Sequence, residues 1–466
     1  MKLLIVAAML SVFLTFTWTI PVMAQKNQAT TLSMSLKQAQ DYAIKNNANS
    51  RNSFIDMEIA KKKIWETTAI GLPQVNAQGN YQHLFTVPSM SLGVEYFLKS
   101  DLPAGTPIMS EDIGKHVSLG YSYLDPVKLG VANNTTLDIT VSQLIFSGEY
   151  IVGLQATKVY YEMTNQNKLK TEQDLRESVA NAYTLALVLE QTRAVLTKSL
   201  ENTKKTLADM KQMLQQGLVE NTDVDQIELV SLNLANGVNS MNRQVDATYD
   251  LIKYQIGMNF SDKLMLTDNL DNLAGTVNLE AISTTPFKIN NNLDYQILQT
   301  SETIGYLNLK REKSTCLPNL AAVYRHTEKV VKPAFDFNPK DVFQISMNIP
   351  IFSSGQRNVK VQQRQMELQK IVNTKENVAN GLELQFVNAR NDLNTAYDKL
   401  LNDKKNIELT KRIYDKTLIK FGEGVASSRE ITDNLNQYLT AQSNMYNSMM
   451  SVITAKNKLD KLNNNL

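Results

Sequence analysis

Residue types that could do chemistry are few in this chain and lie far apart. The three histidines, His83, His116 and His326, stand alone, two in expected strands or their ends and one in a long loop. They lack the paired ligand spacings of a metal centre, so no metal site is expected. There is no glycine-rich phosphate loop and no Gly-x-Ser-x-Gly nucleophile elbow. The one cysteine, Cys316, cannot form an internal disulfide. The Asp and Glu side chains are scattered over helical stretches and read as solvated faces. Neither an enzyme nor a cofactor is expected. The 48 basic and 46 acidic residues give a formal charge of +2, which offers nothing to a nucleic acid.

What the chain does carry is repetition. Leu144-Ile145-Phe146-Ser147-Gly148 returns as Pro350-Ile351-Phe352-Ser353-Ser354-Gly355, and the segment opening at Gly217 returns at Gly424. Both glycine pairs are 207 residues apart. In each copy the strand-like motif lies 69 residues before the glycine turn, so one architecture is built twice.

The elements between these marks are of two kinds. Helical stretches carry heptads. From Leu175 the seam runs through Val179, Ala182, Ala186, Leu189, Arg193, Leu196, Leu200, Thr203, Leu207, Met210 and Leu214, interrupted only by Arg193 and Thr203, and after the turn it resumes at Val224, Ile227, Ser231, Leu234, Val238, Met241, Val245, Thr248 and Ile252. The second copy matches, with Leu382, Phe386, Ala389, Leu393 and Leu400 before its turn and Ile431, Leu435, Met449, Val452 and Leu459 after it. Each copy is thus expected to be a long antiparallel coiled-coil hairpin, with tips near 216–222 and 422–428. A single helix from Gly148 to Gly217 would approach ~100 Å at 1.5 Å per residue.

Strand-like stretches alternate apolar and polar residues. Four are expected, at about 73–84, 137–146, 318–328 and 342–352, the third alternating least cleanly. Each has about the length of a tilted membrane strand, roughly 9 to 11 residues. The stretches between them, about 86–136 and 329–341, are expected to be loops. Aromatics of the first loop, among them Tyr96, Phe97, Tyr121 and Tyr123, fit either a membrane-interface girdle or packing within the loop.

The first residues set the compartment. Lys2 precedes an apolar run from Leu3 to Val22 and the small-residue pattern Val22-Met23-Ala24, so residues 1–24 read as a signal peptide. No later run is long enough for an apolar membrane helix, so a membrane could be crossed only by strands. The mature chain then divides into a first repeat at 25–270 and a second at 271–466. Leu72-Pro73 and Leu317-Pro318 open their strands, preceded by Asn46-Asn47 and Asn291-Asn292, each pair displaced by 245 residues. Ser35-Leu36-Lys37-Gln38 could form a capping box opening a helix, and Thr285-Pro286 is the expected helix start in the second copy.

This order of elements resembles the TolC-like outer-membrane efflux proteins. The resemblance rests on Leu36 to Asn47, the two Leu-Pro strand openings, the two Ile-Phe-Ser strand ends and the two glycine turns. It implies a helix-dominated membrane protein whose four strands join those of two further copies in one transmembrane β-barrel, since a closed membrane barrel needs at least about eight strands. It further implies a homotrimer in the outer-membrane lipid, a helical tunnel in the periplasm, and a periplasmic adaptor and inner-membrane pump docked at the tips. The implied function is the outer-membrane duct of a tripartite efflux system for small molecules. A duct for type I protein secretion has the same build, and an exported coiled-coil structural or adhesive protein is the third reading.

The resemblance also assigns a gate. The family closes its periplasmic end with acids six and nine positions after the second turn glycine, which here are Glu430 and Asp433. Crowded carboxylates in a narrow pore repel one another and draw in cations. The family's acid on the first hairpin corresponds to Asp223. Its tyrosine and arginine partners are replaced by Phe421 and Ala426, and Arg429 is the nearby residue that could stand in. Gly217 and Gly424 mark the turns themselves.

Overall fold

The computed structural model describes residues 31–90, 93–275, 286–332, 336 and 338–465, so the expected signal peptide lies outside the described residues. In chain order the first elements are β1 (Thr31–Met34), α1 (Leu36–Asn46), α2 (Ala48–Ile70), β2 (Gln74–His83), β3 (Ser89–Met90), β4 (Val94–Ser100), β5 (Val117–Tyr123), β6 (Val127–Lys128) and β7 (Asn133–Ser147). Next come α3 (Gly148–Gln215), α4 (Asn221–Ile256), β8 (Lys263–Leu266) and α5 (Leu270–Gly275). The remainder is α6 (Leu293–Ser314), β9 (Asn319–Lys329), β10 (Asp341–Asn348), α7 (Gln356–Gly422) and α8 (Ser428–Leu462).

The chain divides into two units. One takes the described residues up to Asn47, from Ser178 to Gly275 and from Leu400 to Ile453, and the other takes the rest.

The second unit is organised by an antiparallel sheet in the order β10-β9-β7-β2. Alternation decides its faces, because successive side chains point to opposite sides of a strand. The register aligns Val75 with Val141, Ala77 with Ile139, Val141 with Tyr324, and Tyr324 with Phe343. One face therefore carries Val75, Tyr81, Ile139, Phe343, Ile345 and Met347, and the other carries Asn76, Gln78, Thr140 and Gln344. The apolar face is uncovered: Val75, Tyr81, Phe343, Ile345 and Met347 are 58–69% exposed. Both outer strands, β2 and β10, have one free edge. The third strand, which alternates least cleanly, sets Ala321 and Val323 among the polar residues and His326 and Glu328 among the apolar ones.

The fourth strand was expected to reach 352 but ends at Asn348. Pro350 has no N–H for a ladder, and Ile351 and Phe352 lie outside it, 93% and 85% exposed. In the first copy no proline intervenes, and β7 continues to Ser147 through a bulge between Leu144 and Phe146. The stretch 86–136 is also not a plain loop, for it folds into β3 to β6.

Helix ends follow from local chemistry. The capping box expected at Ser35 is present: Ser35 Oγ accepts from Gln38 N at 3.3 Å, and Ser35 N donates to Gln38 Oε1 at 2.9 Å. In the second copy Thr285 lies outside the described residues, no α-helix begins at Pro286, and α6 starts at Leu293. Asn292 is the cap, its side-chain oxygen accepting from Asp294 N and Tyr295 N at 3.0 and 3.2 Å. Its Nδ2 also donates to Leu462 O at 3.1 Å. Asn47 makes the corresponding bond to Gln255 O at 2.7 Å. The two acceptors are again 207 residues apart, which the Asn-Asn pairs alone did not disclose.

In the first unit β1 pairs in parallel with β8. The pair is held by Tyr183 of α3, whose buried hydroxyl donates to Met34 O at 3.0 Å and accepts from Thr267 N and Asp268 N, each at 3.2 Å. Burial pushes its phenol up to about 12, with the Asp268 charge adding to the effect. Asp268 in turn accepts from Leu36 N at 2.6 Å. Around Tyr183 the helix is buried on more than its seam, at Val179, Ala180, Ala182, Thr184, Ala186, Leu187 and Val188. A helix covered on more than one side has more than one packing partner, so this stretch is not a simple two-helix coiled coil.

Candidate functional site at the hairpin tips

The tips belong to the first unit and share one core. Met210, Val224, Ile227, Leu234, Tyr414, Ile431 and Leu435 form a buried cluster, with Leu207, Leu214 and Phe421 packed against it. All four helix ends contribute, so the two hairpins are not independent here. Tyr414 stacks on Tyr438 with ring centroids 5.9 Å apart and planes 5° from parallel. Burial raises both phenols above their ordinary range. Asn434 Nδ2 donates to the buried Thr417 Oγ1 at 2.9 Å and ties α8 to α7.

Each turn is made by a glycine in the left-handed region. Gly217 and Gly424 both have φ +73°, and no atom lies within 4 Å of where a Cβ would sit. Backbone conformation, not space, calls for glycine there. The bonding is the Schellman pattern twice over. Gly217 N donates to Leu214 O and Leu218 N to Met213 O at 2.9 and 3.0 Å, while Gly424 N donates to Phe421 O and Val425 N to Lys420 O, both at 2.9 Å.

The acids expected at the gate behave differently from one another. Asp223 is half-buried and accepts from the hydroxyl of Ser428 on the other hairpin, a side chain only 3% exposed. Ser428 Oγ also lies 3.2 Å from the side-chain oxygen of Gln226. One hydroxyl proton cannot serve both acceptors, so with Asp223 accepting, the Gln226 amide is turned to donate to Ser428. Ser428 is therefore the side-chain partner of Asp223 across the two hairpins. Arg429 is exposed instead, since one step along a helix turns a side chain about 100° away from its neighbour.

Glu430 closes a capping box. Its N–H donates to Ser427 Oγ at 3.2 Å, and its carboxylate accepts from Ser427 N at 3.4 Å. The Ser427-x-x-Glu430 pattern that signals this is present in the sequence. Glu220, which precedes α4, makes no such side-chain bond. Glu430 and Asp433 are three residues apart on α8, which sets them on one helix face, and both are exposed. Their position in the first turns of α8 is favourable for negative charge. Among the described residues no cluster of His, Cys, Asp and Glu could hold a metal ion.

No family model and no curated protein matches the chain in sequence. Solved structures do match its fold. A membrane protein from Pseudomonas aeruginosa superposes with a TM-score of 0.71 at 12% identity, over 94% of this chain and 95% of its own. The CmeC outer membrane channel of Campylobacter jejuni gives 0.67 at 15% identity, over 95% and 90% of the two chains. The outer membrane protein VceC of Vibrio cholerae gives 0.67 at 12% identity, over 92% and 96%. The chain has the helix-dominated fold of these proteins, as the order of its strands, long helices and glycine turns implied.

Proposed function

We propose that this chain is one third of an outer-membrane efflux duct. The observation that carries the reading is the four-stranded sheet, apolar and uncovered on one face, polar on the other, and open at both edges. In water such a sheet exposes a large apolar surface and two unpaired ladders, both of which are liabilities. In an outer membrane the apolar face meets lipid, the polar face lines a lumen, and pairing of β2 with β10 of a neighbouring copy closes the barrel. Three copies supply enough strands. Residues 1–24 direct export, and 25–270 and 271–466 act as two structural repeats that build the periplasmic tunnel.

The tips are then the inner end of the duct, where a periplasmic adaptor and an inner-membrane pump dock and deliver small molecules for export. Glu430 and Asp433 of the three chains ring the opening and favour cations. The Asp223 to Ser428 bond holds the two hairpins of each chain together in the closed state. Support for this arrangement is the buried hydroxyl bridging the hairpins and the two exposed acids on one face of α8. The test is electrical. Purified protein in a planar bilayer is expected to give discrete, cation-selective conductance steps, and a bilayer that stays silent at every voltage with the parent and with Ser428→Ala alike refutes the duct.

A further inference from the structure

The ladder between β2 and β7 does not stop at their ends. Leu84 N donates to Ala132 O and Leu129 N to Pro88 O, both at 2.8 Å. Beyond them β3 pairs with β6, Leu124 N donates to Gly93 O at 3.2 Å, and β4 pairs with β5. The result is a two-stranded arm. Its far end is fastened by Asp101 N to His116 O at 3.2 Å and by the His116 and Asp101 side chains, 3.3 Å apart.

The register gives the arm two unlike faces. Val94, Tyr96 and Leu98 stand opposite Tyr123, Tyr121 and Leu119, while Glu95, Phe97 and Lys99 stand opposite Ser122, Gly120 and Ser118. On the second face Phe97 folds over Gly120, where a Cβ would come within 2.8 Å of its ring. Among the described residues nothing of the kind covers the first. Tyr96, Leu98, Leu119, Tyr121 and Tyr123 are 62–73% exposed, with Tyr121 and Tyr123 edge to face at 6.0 Å.

A two-stranded ribbon is marginal in water without something packed on it. At 150–250 Å² for each aromatic side chain, this face presents roughly 600 Å² of apolar surface. That approaches the ~800 Å² that one partner contributes to a stable interface. The face also bears no charge, since Glu95 and Lys99 lie on the opposite side. It offers no electrostatic attraction to anionic headgroups and no repulsion to a copy of itself.

We propose that this face is an interface between copies of the chain. Arms of neighbouring subunits pack Tyr96, Leu98, Leu119, Tyr121 and Tyr123 against one another outside the membrane and cap the mouth of the channel. The inference rests on the trimeric reading above, which brings the arms to the same height around one axis. To test it, single cysteines are placed in the full-length protein carrying Cys316→Ser: Tyr96→Cys and Tyr121→Cys on the apolar face, Glu95→Cys and Ser122→Cys on the other. Intact cells treated with a short bis-maleimide are expected to yield covalent dimers from the first pair and none from the second, with all four variants extracted as trimers. Trimers without cross-links from Tyr96→Cys and Tyr121→Cys overturn the cap and leave the trimer standing. Cross-links to a different outer-membrane protein overturn it in favour of a foreign partner, and equal cross-linking from both faces overturns it because arms that merely collide react alike. A monomeric native mass defeats the trimeric reading, and the cap with it.

Discussion

Ser428→Ala removes one oxygen and leaves the backbone, the helix start and the surrounding core in place. The hydroxyl it removes is the donor to Asp223, and the side chain is 3% exposed, so bulk water cannot take its place freely. A hydrogen bond to an ionised carboxylate contributes about 1.5–3 kcal/mol. Taking ~2 kcal/mol, the equilibrium between joined and separated hairpins shifts by a factor of about 30 in each chain. Three chains acting together would shift it further. The assay is open probability in planar bilayers, with native mass and thermal unfolding of the same sample as controls on folding. Ser428→Ala is expected to open far more often than the parent, and Ser428→Thr, which keeps a hydroxyl, to stay near it. If Ser428→Ala trimers remain as closed as the parent, the bond does not hold the gate. If Ser428→Thr leaks as badly as Ser428→Ala, packing and not hydrogen bonding is responsible.

Other expectations follow from the same geometry. Gly217→Ala and Gly424→Ala each force a side chain into φ +73° and should lower the unfolding midpoint by an amount corresponding to about 1–2 kcal/mol, and no loss in either would mean the Schellman turns are not kept. Glu430→Gln with Asp433→Asn should weaken cation selectivity and its salt dependence, and unchanged conductance sinks the carboxylate ring. Tyr183 makes stability fall at high pH. Its folded phenol titrates at about 12, against 10.0 for the free group, so its contribution is complete below pH 10 and disappears between 10 and 12. Two units correspond to about 3 kcal/mol. Alkaline unfolding of Tyr183→Phe should have a shallower slope between pH 10 and 12, the remainder coming from other buried phenols such as Tyr414 and Tyr438, and an unaltered slope would place the titration elsewhere.

Much of the fold was legible because it is periodic. The seam residues Val224, Ile227, Leu234, Leu382, Leu393, Ile431 and Leu435 are buried in the structure, and period-2 alternation marked the sheet's four strands. The remaining elements carry weaker local signals. Val117, Leu119, Tyr121 and Tyr123 alternate with small or polar residues, a strand signal that seven residues carry only weakly between two longer alternating segments. Pro350, which has no N–H for the ladder, marks the end of the last strand. Ser427-x-x-Glu430 is a plain capping box, which gives Glu430 a backbone role alongside its exposed charge. The Asp223 to Ser428 bond could not be read at all, because it joins side chains 205 residues apart and depends on how two hairpins pack. Tyr183 was likewise hidden, since its partners on β1 and after β8 are brought together only by the tertiary fold.

The most direct test is the native mass of the protein extracted in mild detergent from purified outer membranes. Four strands with two open edges cannot close a barrel, so the chain is expected as a trimer that survives extraction and dissociates only when the sheet unfolds. A monomer, or a protein recovered from the periplasm without detergent, would contradict the duct.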